Sequence, residues 1–157
     1  MKLSTKGRYG LRAVIDIALH GKTEAVAISA IAERQNISAK FLEQLIAKLK
    51  RAGIVISVRG AQGGYRLARA PEDISVGEVL RTLEGDLNPV DCEEVTGEPG
   101  TCEKNTCGGR DQCVTKIVWK RISDSINDAV DHLMLSELLE DSRPKEDNTG
   151  SADSTGA

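Results

Sequence analysis

Cys92, Cys102, Cys107 and Cys113 are the chain's four cysteines, and all of them fall within one short, glycine-rich stretch. The last three read Cys-x4-Cys-x5-Cys directly ahead of an amphipathic segment that begins at Val114. Thiolates gathered on one loop suit zinc, copper(I) or iron-sulfur clusters, whereas an isolated buried cysteine packs as a small hydrophobe. Zinc is the weaker of these, because the paired Cys-x2-Cys knuckles of structural zinc sites are absent. No other constellation is equipped for chemistry. The two histidines, His20 and His132, stand in no nucleophile-base arrangement, so a hydrolase or transferase has no support.

The elements that must position these thiols come from a chain of 157 residues, 39% apolar and 3% aromatic, which suits one small domain with an extension. The leading residues carry no apolar targeting run and no stretch approaches a membrane span, so a cytoplasmic location is expected. In a reducing cytosol, clustered cysteines serve as metal ligands or redox sensors before they serve as a disulfide framework. Charge is unevenly distributed. Residues 1–70 hold 13 Lys+Arg against 4 Asp+Glu, and the remainder hold 8 against 20. A basic front is the electrostatic footprint of a phosphate-binding surface, although an ordinary solvated surface has the same composition.

Local pattern decides between those two. Ser4 or Thr5 can cap a helix with Tyr9, Leu11, Val14, Ile15, Ala18 and Leu19 at helical spacing, stopped at Gly21. A short helix from Ile28 to Gln35 ends at Asn36, and Ser38 can cap a third helix through Phe41, Leu42, Leu45, Ile46 and Leu49 to Gly53. Two helices across so tight a turn form a helix-turn-helix. Ile54–Val58 and Tyr65–Leu67 then read as a β-hairpin with Arg59-Gly60-Ala61-Gln62-Gly63-Gly64 at its tip. That glycine run opens no helix and lacks a following lysine, which argues against a nucleotide-phosphate loop.

Ser75 and Glu78 have capping-box spacing ahead of a helix that ends near Glu84-Gly85. Asp86–Gln112 reads as a loop without regular structure, and loops this long are usually functional or disordered. From Val114 the stripe Val114, Val118, Ile122, Ile126, Val130 and Leu133 predicts a helix of about 20 residues, roughly 30 Å long. Its apolar face exceeds what a small head needs, so packing against a second copy of the chain is expected. Ser136–Leu139 can form a further short helix, and the tail beyond Arg143-Pro144 has the composition of disorder. The expected fold is mostly α with a small β-hairpin wing. Its parts are a winged helix-turn-helix over 1–84, a cysteine-bearing loop over 85–113, a dimerisation helix with a short following helix over 114–141, and a disordered tail over 142–157.

Lys2–Gly10, Phe41-Leu42-Glu43-Gln44-Leu45, Ser57–Tyr65 and Val76-Gly77-Glu78-Val79, taken together, resemble the Rrf2 family of bacterial winged-helix transcription regulators. The resemblance runs from residue 1 to about residue 140 and is greatest to the iron-sulfur cluster regulators of that family. It implies a homodimer joined through long C-terminal helices and a 2Fe-2S cluster held by Cys102, Cys107 and Cys113. It also implies repression of iron-sulfur cluster biogenesis genes. In those regulators a histidine stands three residues after the third cysteine; here that residue is Lys116, which in its usual protonated form cannot ligate. Cys92 is the local substitute, with His132, a partner-chain group or an exogenous ligand as alternatives. A branch of cysteine-metabolism repressors lacks the triad, although Glu84–Val90 is similar to it. A cluster carrier or electron-transfer protein is a more distant alternative.

A helix-turn-helix of this kind takes double-stranded DNA, and a two-fold dimer takes palindromic operators. Helix Ser38–Arg51 is expected in the major groove, with Lys40, Glu43 and Gln44 near its exposed N-terminal side. Gln44 can read adenine, Lys40 a guanine or a phosphate, and Glu43 can accept from cytosine while repelling sites that lack that donor. Arg59, beside Gly60 at the wing tip, is expected in a minor groove. Lys6, Arg8 and Arg66 are candidates for phosphate contacts.

Overall fold

The computed structural model describes residues 3–96 and 113–142. In chain order these form α1 (Thr5–His20), α2 (Ile28–Gln35), α3 (Ala39–Arg51), β1 (Val55–Val58), β2 (Gly64–Leu67), a 3-10 turn (Pro71–Asp73), α4 (Val76–Glu84), α5 (Glu93–Thr96), α6 (Lys116–His132) and α7 (Leu135–Asp141). The result is a winged helix-turn-helix followed by a long helix. Helices α1, α3 and α4 each start where a serine supplies the missing acceptor: the Oγ atoms of Ser4, Ser38 and Ser75 accept from the backbone N–H of Lys6, Phe41 and Glu78 at 3.1, 3.2 and 3.1 Å. The α2–α3 turn is closed by Asn36, whose φ of 52° lies in the left-handed region that asparagine tolerates, and by Ile37 N–H donating to Ala32 O.

The core sits beneath the helix-turn-helix. Val14 and Ile17 of α1, Ile31 of α2, Leu42, Leu45, Ile46 and Leu49 of α3, Val79 and Leu83 of α4, and Leu135 of α7 are all buried in it. Burying each large side chain is worth about 1.5–3 kcal/mol against leaving it in water. A second cluster of Val76, Leu80 and Leu87 takes up Ile126, Val130 and Leu133 from the far end of α6. A two-residue antiparallel contact, Val76 N–H to Leu133 O and Leu135 N–H to Ile74 O, secures the α6–α7 junction to the start of α4.

β1 and β2 pair antiparallel with Val55 opposite Leu67 and Val58 opposite Gly64. Val26 adds a third rung by exchanging both backbone hydrogen bonds with Tyr65. This is why residue 64 is glycine: a Cβ there would lie 2.3 Å from Val26 O.

Several expectations need correction. The segment from Asp86 is not wholly irregular, because Glu93–Thr96 forms a helical turn whose last amides donate to Cys92 O. Leu19 is exposed: the buried face of α1 runs through Gly7, Gly10, Ala13, Val14 and Ile17, and Gly7 and Gly10 meet Glu84 and Leu83 of α4. Only half of the Ser75–Glu78 capping box forms, because the Glu78 carboxylate pairs with Arg69. Arg66 faces inward: its guanidinium donates to Gly21 O and Lys22 O and so caps the C-terminus of α1.

Asp16 is a carboxylate in the middle of α1's buried face, 1% exposed, and α2 supplies its partners. Arg34 donates to both of its oxygens, the shortest contact being 2.6 Å, and Gln35 Nε2 donates at 2.8 Å. Burial pushes the carboxyl's pKa up, but the hydrogen bonds from Arg34 and Gln35 and the charges of Arg34 and His20 outweigh it, so the pKa is lowered. A carboxyl depressed by folding stabilises fully above its unfolded pKa of about 4 and loses that contribution as pH falls through the folded value. Asp16→Ala is therefore expected to cost roughly 1.5–3 kcal/mol at neutral pH, by removing the charge-assisted hydrogen bonds that fasten α1 to the end of α2. Urea melts should show the gap between wild type and variant shrinking below about pH 4.

Candidate nucleic-acid interface and metal centre

The outward face of α3 is set by its inward one. With Leu42, Leu45, Ile46 and Leu49 buried, Lys40, Glu43, Gln44, Ala47, Lys50 and Arg51 emerge together on the exposed side. Ser38 is exposed too, but its Oγ is committed to capping α3. Lys40, Glu43 and Gln44 therefore lie side by side within one turn, a cation, an anion and an amide on the surface of the second helix of the motif. Phe41 is half-buried between these and the core, its ring edge-on to Tyr9 with centroids 6.2 Å apart. Arg12 lies 5.5 Å over the Tyr9 ring and donates to Gln35 O and Oε1, so this arginine fastens α1 to the end of α2.

Arg59 and Gly60 are exposed at the tip of the wing. Gly60 has φ of 129°, a conformation open to glycine, and its carbonyl accepts from Gly63 N–H at 3.0 Å, which turns the chain back into β2. β1 leaves α3 directly through Gly53, whose φ is 73°, and Ile54 N–H donates to Leu49 O. The hairpin is thus fixed to the C-terminal end of α3.

Of the cysteines, Cys102 and Cys107 lie outside the described residues. Cys92 and Cys113 are both half-buried thiols. Cys113 stands just ahead of α6, its Sγ 3.5 Å from Thr115 Oγ1, and Trp119 Nε1 donates to the same hydroxyl at 3.2 Å. The Thr115 hydroxyl, the Thr115 and Lys116 amides and the Lys116 charge together hold the Cys113 thiol below its ordinary pKa against a smaller opposing effect of burial. A thiol biased toward thiolate is the form that binds a soft metal, so the described part of the donor set fits an iron-sulfur cluster. Among the described residues no three His, Cys, Asp or Glu side chains are grouped to hold a metal ion. Lys116 meets Cys113 as a cation. His132 sits exposed at the opposite end of α6, hydrogen-bonded to Asp128, on the order of 25 Å away along the helix. Within one chain it cannot join Cys113.

Along α6, Val114 is 89% and Ile117 61% exposed, and Val118 and Ile122 continue the same apolar strip. The far half of the helix is covered by α4 and Leu87, so the strip is confined to the cysteine end. Among the described residues no helix is long and apolar enough to cross a membrane.

The chain as a whole is similar to known proteins. The Rrf2 family model, described as an iron-dependent transcriptional regulator, matches residues 3–141. The chain belongs to the Rrf2 family. It is 40% identical to the HTH-type transcriptional regulator IscR of Aliivibrio salmonicida over 141 residues, covering 90% of this chain and 79% of that one. Among solved structures, IscR of T. potens superposes with a TM-score of 0.71 at 43% identity, over 90% of this chain and 88% of that one. CymR, the global cysteine regulator of B. subtilis, superposes with a TM-score of 0.72 at 34% identity, over 89% and 97%. The protein is accordingly a DNA-binding transcription regulator of the Rrf2 family and not an enzyme.

Asp16, Arg34, Arg12, Thr115 and Trp119 were not singled out by sequence reasoning as site-building residues. For Asp16 a signal existed, an acid between Ala13 and Ile17 on an apolar face. Thr115→Val is expected to raise the Cys113 pKa and slow its alkylation by iodoacetamide at pH 7, with the difference from wild type closing above about pH 9–10 as both thiols ionise. Peptide mass mapping of the metal-free protein reads this out.

Proposed function

We propose that the chain is a homodimeric, iron-sulfur cluster-responsive repressor of iron-sulfur cluster biogenesis genes, which binds palindromic operators in double-stranded DNA. The observation that carries this reading is the place of the cysteines: Cys113 opens α6, and the other end of α6 is packed on α4 of the DNA-binding head. In it, residues 1–84 read DNA, 85–113 hold a 2Fe-2S cluster, 114–141 dimerise and 142–157 form a tail. The α6 strip of Val114, Ile117, Val118 and Ile122 gives the dimer its apolar contact.

Cys102, Cys107 and Cys113 are the proposed ligands, with Cys92 the proposed fourth in place of the histidine that Lys116 replaces. When bound, the cluster supplies an iron- and sulfide-dependent cross-link across the loop. Thr115 and Lys116 keep Cys113 ready for it by favouring thiolate. Toward DNA, Gln44 and Lys40 read base edges in the major groove, Ser38 starts the reading helix at the required angle, and Arg59 enters the minor groove from the turn made by Gly60. Glu43 accepts from a cytosine amino group and, where none is offered, repels phosphate. Charge on these residues makes binding fall as salt rises. A cysteine-metabolism repressor is the second reading, favoured by the likeness to CymR, and the cysteine triad argues against it.

Gel shifts on several promoters with cluster-loaded wild type and the triple Cys102/Cys107/Cys113→Ala protein test the reading. The expected result is a different ranking of promoters for the two proteins; equal affinity on every site would overturn cluster control. Iron and sulfide counts on anaerobically purified protein test the cofactor itself. Glu43→Ala is expected to broaden the set of bound sequences, gaining about 1–3 kcal/mol on sites that lack the cytosine amino group. Selection from a randomised operator library measures it.

A further inference from the structure

Apart from Asp16, the one polar residue buried among the described residues is Ser123, 5% exposed in the middle of α6 and far from any DNA-facing surface. Its surroundings form a chain of hydrogen bonds that starts at a cation. Arg81 of α4 can only donate, and its Nη2 donates to Asn127 Oδ1 at 2.5 Å. Asn127 must then turn its amide nitrogen toward Ser123, where it donates to the backbone O at 2.9 Å and to Oγ at 3.3 Å. The hydroxyl, now an acceptor on that side, donates at 2.9 Å to Oδ1 of Asn88. A cation thus orients Asn127, and the chain continues through the Ser123 hydroxyl to residue 88, linked bonds of this kind polarising one another.

Asn88 lies four residues before Cys92, and Leu87 next to it is buried in the second apolar cluster. The α4 end of the chain is equally constrained. Arg81 also clasps Asp131 at 2.6 Å, and a Cβ on Gly77 would lie 2.2 Å from that carboxylate. At its C-terminus α4 reaches α1, where Glu84 Oε1 accepts from Ser4 Oγ and Gly7 N–H, both at 2.7 Å.

We propose that Asn88, Ser123, Asn127 and Arg81 are positioning residues that tether the Cys92 end of the cysteine loop to α4, making loop order and the seating of α4 on the head one equilibrium. The proposal rests on the cluster-responsive reading above and adds the physical route by which the loop is felt at the head. A network that only sealed the α4–α6 contact would affect stability and leave the response to the loop untouched.

The test uses full-length Ser123→Ala, Asn88→Ala and Asn88→Asp, the last retaining the acceptor oxygen. In metal-free protein, Cys92 alkylation followed by peptide mass mapping is expected to accelerate about fivefold in both alanine variants, the weight of one hydrogen bond, and to stay at the wild-type rate in Asn88→Asp. The ratio of operator affinities between cluster-loaded and cluster-free protein is expected to move toward unity by a similar factor in the alanine variants. Should Ser123→Ala fail to fold, Asn88→Ala at the outer end of the network carries both measurements. Unchanged Cys92 labelling, or an unchanged ratio in an alanine variant, overturns the proposal. A wild-type ratio of one would sink the cluster-responsive reading instead, and faster Cys92 labelling in the variants would still uphold the tether.

Discussion

The structure depends on how closely helix α4 is held by its two neighbours. On one side, a Cβ at Gly10 of α1 would fall 2.0 Å from Leu83 Cδ1, and one at Gly7 would fall 2.5 Å from Glu84 Oε1. On the other, Gly77 allows Asp131 of α6 to reach Arg81. Backbones this close leave no void for a small slide, and packed interiors answer displacement by changing arrangement instead of stretching. Glu84 adds an electrostatic lock, since its carboxylate sits at the positive N-terminus of α1 and its pKa is lowered chiefly by the Ser4 hydroxyl. A nine-residue helix thus joins the DNA-reading head to the long helix that leads to the cysteines.

The same economy appears in the charges. The basic front half suggests a broad phosphate surface, and several of its arginines also hold partners within the fold. Arg12 and Arg66 cap helix ends, Arg34 neutralises Asp16, and Arg69 bonds Asp73 O and Glu78. A planar fork of donors suits carbonyls and carboxylates in fixed positions, which a lysine meets only as a point charge. Lys6, Arg8, Lys40, Lys50, Arg51 and Arg59 are exposed basic groups of the head as well. Charge counting from sequence therefore gives the correct sign and does not reveal which of these cations also hold the fold together.

What could be read in advance was what is encoded within a few residues. Ser4, Ser38 and Ser75 as caps, Gly21 and Asn36 as stops, and the hairpin around Arg59-Gly60 each state their structure locally, and each forms where expected. The exposed Lys40-x2-Glu43-Gln44 surface followed from the spacing of the buried leucines of α3. What stayed hidden depends on partners distant in sequence. Nothing near Gly64 announces Val26, nothing near Glu84 announces the end of α1 eighty residues earlier, and Arg66 looks like any surface cation until Gly21 is seen beside it. Cysteine spacing singled out candidate ligands; the hydroxyl beside Cys113 lies two residues further on, in a threonine whose importance comes only from geometry.

In the proposed cluster site, Lys116 takes on a role different from that of the histidine found in the resembling regulators. As the first residue of α6 it lends both its amide and its charge to Cys113, and both favour thiolate. A histidine there would donate a lone pair; the lysine favours the anion of Cys113, a proposed ligand, and under that proposal the fourth place falls to another group. His132 is removed from contention within its own chain by the length of α6. Cys92, our proposed fourth ligand, stands at the end of a segment that Leu87 and Asn88 anchor to α4 and α6. Ligation from that side would pull on the anchored segment, whereas a ligand on α6 itself would pull only on the helix that already carries Cys113. Exchanging histidine for lysine would thus move the fourth bond from a position within one helix to one that bridges two parts of the fold.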